Sequence, residues 1–279
     1  MKIKFIICAV IVLLLNDVNA ASGGGELMIF PTRIVFDKNH RAAQIDLTNT
    51  GTVTTSYRIT MQNKRMTEIG EFINVTSPLP GEFFADKIIQ YSPRQVELAP
   101  GAGQVVRIIL RKPANLLPGE YRTHLVFNKL PESKTQTIDR QNQTPSKDIG
   151  ITLTALIGVS IPIIIENGET SATSMLTGLK IHPGKEGAPP ILEMRLERTG
   201  NRSLYGDLKV KFISPRGEEQ TIATARGLAV YTPNPSRLIK VVLRSTSHES
   251  LKKGKIVVFF NESLDAGGKL LTQNSLELQ

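Results

Sequence analysis

The feature that most constrains the fold is a run of sixteen residues, 150–165, that contains no charged side chain. The odd positions of this run are all apolar, whereas its even positions include Thr152, Thr154, Gly158, Ser160 and Pro162. A period of two predicts a β-strand with one apolar face. At about 3.3 Å per residue the run would span roughly 50 Å, which is longer than one strand of a β-sandwich needs. We therefore expect part of the strand to extend beyond its own sheet.

A strand with this pattern has to be covered, because a bare apolar edge promotes aggregation. In one interpretation the strand is central, pairs on both sides and contributes to the core. In the other it is an edge strand lent to another protein, whose sheet it extends while its alternate side chains fill a groove. Four aliphatic side chains buried in this way would contribute about 6–12 kcal/mol as an upper estimate. The pattern alone leaves both interpretations open.

The remainder of the chain predicts an all-β protein. Short alternating segments are separated by turn residues, as in β-sandwiches, and no ten-residue stretch has a clean helical period. The predicted strands are residues 34–36, 43–47, 56–61, 96–98, 104–110, 121–130, 192–196, 208–212, 238–243 and 255–260. A polar segment at 131–148 is predicted to be a loop, and Glu166-Asn167-Gly168 is a short polar junction. We predict two sandwich domains in tandem, at 21–167 and 168–279.

Residues 1–20 have the composition of a signal peptide. Lys2 and Lys4 precede an apolar run at 5–15, and small residues fit a cleavage site near Ala20. A run of eleven residues is too short to cross a bilayer as a helix, so we predict no stable membrane insertion. Cys8, the only cysteine, would be removed with this segment, and the mature protein would contain no disulfide. We predict export to the periplasm.

The charge pattern indicates neither nucleic-acid binding nor catalysis. The net charge of +9 is dispersed over pairs such as Lys64-Arg65, which favours acidic protein partners over nucleic acid. The four histidines, His40, His124, His182 and His248, have no metal-ligand spacing. Ser160 lies in a strand pattern and lacks the final glycine of a nucleophile elbow. We predict no catalytic residue, no cofactor and no metal.

Six short motifs resemble, in their order along the chain, those of the periplasmic chaperones of the chaperone/usher pathway, the PapD-like family, in a divergent form. The motifs are PTRIVF at 31–36, LTN at 47–49, YSPRQV at 91–96, PG at 100–101, QVVRI at 104–108 and LPGEYR at 117–122. The resemblance covers roughly residues 27–166, and beyond 168 it is only architectural. It implies two tandem immunoglobulin-like β-sandwich domains, the first of which donates a strand to pilus subunits that lack their own last strand.

The resemblance also implies which residues bind the subunit. Arg33 matches an arginine that binds the subunit's C-terminal carboxylate in the cleft between the domains, a task that suits a guanidinium. The donor strand matches residues 150–160, which makes the expected groove-filling residues Ile151, Leu153, Ala155, Ile157 and Val159. Well-known members carry a lysine on the same strand as a second carboxylate anchor, and Ser160 stands at that position here. Tyr121 fits the position of a tyrosine corner and is expected to be structural.

We therefore predict a periplasmic chaperone that keeps pilus or fimbrial subunits soluble and delivers them to an outer-membrane usher. Without a client, we expect the donor strand to be capped by self-association. The alternative is an exported structural or adhesive protein of two immunoglobulin-like domains, in which the apolar strand pairs internally. A hydrolase on a sandwich scaffold would instead require carboxylates clustered in a cleft.

Overall fold

The computed structural model describes residues 27–131, 158–185, 188–244 and 253–278. The predicted signal peptide, the predicted loop after Pro131 and four expected groove-filling residues, Ile151, Leu153, Ala155 and Ile157, lie outside the described residues. Within those ranges the regular secondary structure is β-strand, apart from one short 3-10 helix, Leu264–Ala266. The all-β prediction is confirmed. The described part of the chain contains no helix that is long and apolar enough to cross a membrane.

The strands before Gly168 form an N-terminal β-sandwich and a separate hairpin. They are β1 (Leu27–Phe30), β2 (Ile34–Phe36), β3 (Ala42–Asn49), β4 (Thr55–Gln62), β5 (Lys64–Met66), β6 (Phe72–Asn74), β7 (Phe83–Phe84), β8 (Ile89–Ser92), β9 (Gln95–Leu98), β10 (Gly103–Leu110), β11 (Gly119–Lys129) and β12 (Gly158–Asn167). One sheet has the order β1-β3-β10-β8. The facing sheet has the order β2-β12-β11-β4-β9, with β7 paired to β11, and β5 pairs only with β6 among the described strands.

The core of the N-terminal sandwich follows the alternation of the sequence. Ile45 of β3 and Ile108 of β10 are fully buried and face Phe36 and Phe127 of the opposite sheet. The intervening residues of β3 and β10 are mostly exposed. Since an extended chain directs successive side chains to opposite faces, each of these strands contributes one face to the core.

Seven further strands form the C-terminal β-sandwich. They are β13 (Ala172–His182), β14 (Ile191–Gly200), β15 (Leu204–Ile213), β16 (Glu219–Val230), β17 (Ser236–Val242), β18 (Gly254–Glu262) and β19 (Leu270–Leu278). The order β13-β14-β17 in one sheet and β16-β15-β18-β19 in the other is that of an immunoglobulin-like sandwich whose fourth strand has joined the second sheet. Met194, Val210 and Phe260 are fully buried between the two sheets.

Tyr121 occupies the expected tyrosine corner. Its hydroxyl donates a hydrogen bond to the carbonyl oxygen of Leu117 at 3.1 Å, four residues upstream. Its ring stacks on that of Phe83 with 4.9 Å between the centroids. The structural role predicted for Tyr121 is confirmed, because both contacts fix the turn that leads into β11.

The two interpretations of the apolar run apply to different parts of β12. Along its whole length β12 pairs with β11, and residues 163–165 also pair in parallel with β2. Ile161, Ile163 and Ile165 are buried in the protein's own core. The prediction of a lent edge is therefore wrong for residues 163–165, because β2 already occupies that edge. For residues 158–162, β11 is the only strand partner within the described chain.

Candidate functional site

The edge of β12 at residues 158–162, which has no strand partner within the described ranges, is the first part of the candidate site. Val159 is 39% exposed, whereas Ile161, two residues further along the same face, is only 2% exposed. In the sequence, Val159 continues the row of apolar odd positions that begins at Ile151. An exposed strand edge carries backbone donors and acceptors that can pair with another chain.

The second part of the site is the face of β11 that meets the C-terminal sandwich. Odd residues of β11, such as Leu125 and Phe127, point into the core. The even residues Glu120, Arg122 and His124 are also buried, with exposures of 2%, 5% and 2%. Because charged side chains are rarely buried without partners, this row marks an interface with specific polar contacts.

Glu120 is fully engaged by the C-terminal sandwich. Its carboxylate accepts hydrogen bonds from the backbone N–H of Ser203 at 2.7 Å, from the Ser203 hydroxyl, and from the hydroxyl of Thr232 at 3.4 Å. The Ser203 hydroxyl oxygen in turn accepts a hydrogen bond from the backbone N–H of Thr232 at 3.0 Å. Glu120 therefore connects the N-terminal sandwich to two segments of the C-terminal one.

Arg122 is held beside this network. It donates to the carbonyl oxygens of Thr232 at 3.2 Å and Lys64 at 3.3 Å, and its guanidinium lies 4.3 Å from the ring centroid of Tyr231. Burial lowers the pKa of the Arg122 guanidinium, and the charge of Glu120 is the largest opposing influence. Burial raises the pKa of the Tyr231 hydroxyl, against the effect of the positive charges of Arg33 and Arg122.

The structure places Arg33 in the cleft between the two sandwiches. Its guanidinium lies 4.2 Å from the ring centroid of Tyr205, which belongs to the C-terminal sandwich. The Nε atom of Arg33 is buried and has no hydrogen-bond partner among the described residues. A guanidinium that stacks on an aromatic ring keeps its charge and some of its donors available.

The β5–β6 hairpin covers one side of the cleft. The side-chain amide of Asn234 donates a hydrogen bond to the carbonyl oxygen of Met66 at 2.7 Å. The backbone N–H of Leu238 donates a hydrogen bond to the carbonyl oxygen of Glu68 at 2.7 Å. Gly70, at φ +89°, packs so closely on Arg237 that an added Cβ would lie 2.3 Å from its Nε. The hairpin thus belongs to the N-terminal chain segment but is bound to the C-terminal sandwich.

A cavity of about 270 Å³ lies between this hairpin and the two sandwiches. Residues that line it include Lys64, Phe72, His124, Ser160, Tyr231 and Arg237. The ring of His124 makes an edge-to-face contact with Phe72 at 5.0 Å between centroids, and neither of its ring nitrogens has a hydrogen-bond partner among the described residues.

We expect the stability of the protein to decrease as the pH falls from about 6.5 towards 3. Burial, together with the charges of Arg122 and Lys64, lowers the pKa of His124 to about 3. The pKa of an unfolded histidine is about 6.5. Between these values the unfolded chain binds a proton that the folded chain excludes, so the free energy of unfolding falls with pH. At pH 5 this residue alone should cost about 2 kcal/mol relative to pH 7.

Urea unfolding of the wild type and of His124→Phe at pH 7 and pH 5 measures this effect. Phenylalanine fills a similar volume but binds no proton, so the variant should lose about 2 kcal/mol less than the wild type over this interval. The same pH dependence in both proteins would contradict the low pKa of His124.

The cleft contains functional candidates that the sequence reasoning missed. From the sequence, His124 is a histidine without metal-ligand spacing, and Lys64 is part of a dispersed charge pair, so neither is predicted to be a site residue. The available signal was the alternation of Glu120, Arg122 and His124 with apolar residues along β11. Ser160 lines the cavity and carries no positive charge. Within the described ranges, no group of three or more His, Cys, Asp or Glu residues is arranged to hold a metal ion.

Comparison with known proteins finds similarity only at the level of structure. No protein-family model and no curated protein sequence matches the chain. The YadV chaperone is similar with 9% identity and a TM-score of 0.44, over 90% of this chain and 99% of that chain. The class 5 fimbriae chaperone CfaA is similar with 13% identity and a TM-score of 0.44, over 91% and 99% of the two chains. The Pseudomonas aeruginosa CupB2 chaperone is similar with 11% identity and a TM-score of 0.42, over 90% and 100%. All three of these solved proteins are chaperones.

Proposed function

We propose that the protein is a chaperone that binds pilus or fimbrial subunits lacking their own last strand, and that it does so by donating a strand to the sheet of the subunit. The observation that carries this proposal is the pairing of β12, which has β2 beside residues 163–165 but only β11 beside residues 158–162 within the described chain. A strand that is fixed in its own core at one end, and that has a free edge among the described strands at the other, is suited to extend the sheet of a second protein.

The apolar row supplies the side chains for this contact. Ile161, Ile163 and Ile165 fix one end of the row in the core. The residues proposed to fill the groove of the client subunit lie at the other end, and they are Ile151, Leu153, Ala155, Ile157 and Val159. The exposure of Val159 supports the proposal, because it marks where the row leaves the protein's own core.

Arg33 is the proposed binding partner for the carboxylate at the end of the client chain. Its position against Tyr205 supports this role, as does its buried Nε, which has no hydrogen-bond partner in the part of the chain that the structure describes. Arg122 lies close enough for its pKa to be affected by the charge of Arg33. Two guanidinium groups in a partly enclosed cleft would attract an anion.

The remaining parts of the proposal rest on the predicted signal peptide at residues 1–20 and on the motifs shared with chaperone/usher chaperones. The protein would be exported to the periplasm and would pass its client to an outer-membrane usher. The client would leave when a strand of another subunit replaces the lent one. Free protein would cover its exposed edge by self-association, because an uncovered apolar edge promotes aggregation.

Co-expression of the full chain with a fimbrial subunit that lacks its own last strand tests the proposal. Size-exclusion chromatography should recover a soluble one-to-one complex, and Val159→Asp should reduce its yield. Val105→Asp is the matched control, because Val105 of β10 is 37% exposed but belongs to the other sheet. Failure to recover a complex, or an equal loss with both variants, would favour the structural or adhesive alternative.

A further inference from the structure

Arg198 stands at a position of β14 where the alternation of the strand calls for a core residue. The even residues of β14 are fully buried in the C-terminal core as far as Leu196, and Arg198 is the next residue of this row. It is only 7% exposed. Because burial of a guanidinium costs free energy unless hydrogen bonds satisfy its donors, the position of Arg198 indicates a specific polar role.

The guanidinium of Arg198 donates hydrogen bonds to backbone carbonyl oxygens of two turns. Its Nη1 donates to Gly200 at 2.7 Å and to Arg202 at 3.0 Å, in the turn between β14 and β15. Its Nε donates to Asn234 at 2.9 Å and its Nη2 to Pro233 at 3.4 Å, in the turn between β16 and β17. A single side chain thus joins two turns that lie far apart in the sequence.

The two turns held by Arg198 carry the groups that bind the N-terminal sandwich. Ser203 and Thr232 provide the three hydrogen bonds to the Glu120 carboxylate. The carbonyl oxygen of Thr232 also accepts a hydrogen bond from Arg122. The charge of Glu120 opposes the lowering of the Arg198 pKa by burial, so Arg198 belongs to the same buried network of charges.

The first of these turns also fixes the aromatic ring on which Arg33 stacks. β15 begins at Leu204, immediately after the turn, and Tyr205 is its second residue. The guanidinium of Arg33 lies 4.2 Å from the ring centroid of Tyr205. A cation–π contact requires the charge to lie within about 6 Å of the centroid. A displacement of the turn would therefore remove the support of Arg33.

We infer that Arg198 is a positioning residue of the cleft, which fixes the C-terminal sandwich against the N-terminal one and thereby holds Arg33 in the geometry that binds the client. Arg198 acts through the two turns and through Tyr205, without touching the client itself. An arginine suits this task because its planar guanidinium carries five donors in a fixed geometry, whereas a lysine carries its donors on one nitrogen. Only the effect on the client rests on the proposed function.

Residual dipolar couplings of the backbone N–H groups, measured by NMR on the full chain, test the positioning role without a client. In the wild type the couplings of both sandwiches should fit one alignment tensor. In Arg198→Met each sandwich should keep its own fold but the common tensor should be lost, and Arg198→Lys should show a smaller change in the same direction. Arg226→Met, at an exposed arginine of β16, is the control and should keep the common tensor. A common tensor in both Arg198 variants would overturn the inference.

A double-mutant cycle on the affinity for a fimbrial subunit that lacks its last strand tests the effect on the client. Arg198→Met should weaken binding about tenfold or more, and Arg33→Ala should then weaken it little further, because both changes remove the same contact. Val159→Asp should weaken binding by the same factor with and without Arg198→Met, since the β12 edge belongs to the N-terminal sandwich. A general loss of stability would not single out Arg33 in this way.

Independent, additive effects of Arg198→Met and Arg33→Ala would refute the link between Arg198 and Arg33. If the wild type binds no such subunit, the proposed function fails, and the dipolar couplings still decide whether Arg198 positions the two sandwiches.

Discussion

Replacement of Leu153 by aspartate is expected to abolish recovery of the soluble complex with a fimbrial subunit. Leu153 lies within the apolar row of odd positions that runs from Ile151 to Val159. In the proposed complex this row fills the groove of the client and contributes about 6–12 kcal/mol as an upper estimate. Burial of an unpaired carboxylate costs several kcal/mol of binding free energy, and the substitution also removes the hydrophobic contribution of the leucine side chain. Co-expression followed by size-exclusion chromatography measures the yield of complex.

Thr152→Asp provides the matched control, because it adds the same charge one residue away on the opposite face of the predicted strand. Most of the complex should survive this change. Thermal unfolding of the two free variants should be similar, which would exclude misfolding as the cause of the difference. The same yield of complex from both variants, whether high or low, would contradict the assignment of the odd residues to the groove.

The sequence pattern was sufficient for strands whose two faces differ in environment. β3, β10 and β18 each alternate between buried and less buried residues, and their predicted ranges agree with the structure to within a few residues. In these strands the alternation of apolar and polar residues in the sequence matches the alternation of burial, because one face packs on the core and the other contacts water.

The pattern failed where a bulge changes the face to which the residues point. β13 was not predicted, although Leu176 is buried in the C-terminal core and Leu179 and Ile181 pack against it. The pairing register of β13 shifts between Thr177 and Lys180, around Gly178 at φ +62°. The bulge moves the apolar residues from even to odd positions, so that no single period of two spans the strand.

The cleft could not be predicted because its contacts join residues far apart in the chain. The β5–β6 hairpin has no alternation of its own, and its position depends on hydrogen bonds from Asn234 and Leu238. The even face of β11 is buried because the C-terminal sandwich and the β5–β6 hairpin cover it. Among these residues, Arg33 is the one that the motifs identify as a binding residue, whereas the surroundings of His124 become visible only in the structure.

The network that holds this cleft together should be sensitive to the loss of Glu120. Glu120→Ala is expected to lower the free energy of unfolding by about 3 kcal/mol or more, which corresponds to a fall in Tm of roughly 6–12 °C. The substitution leaves the backbone N–H of buried Ser203 without its acceptor and removes the negative charge that stabilises the Arg122 guanidinium. Urea and thermal unfolding at pH 7 measure the change.

Two further variants separate the contributions of Glu120. Glu120→Gln keeps a hydrogen-bond acceptor but loses the charge, so its effect should lie between those of the wild type and Glu120→Ala. Glu219→Ala removes a carboxylate whose partner, Lys211, is on the surface, and it should cost less than about 0.5 kcal/mol. A Glu120→Ala effect as small as that of Glu219→Ala would mean that the two sandwiches do not depend on this buried network.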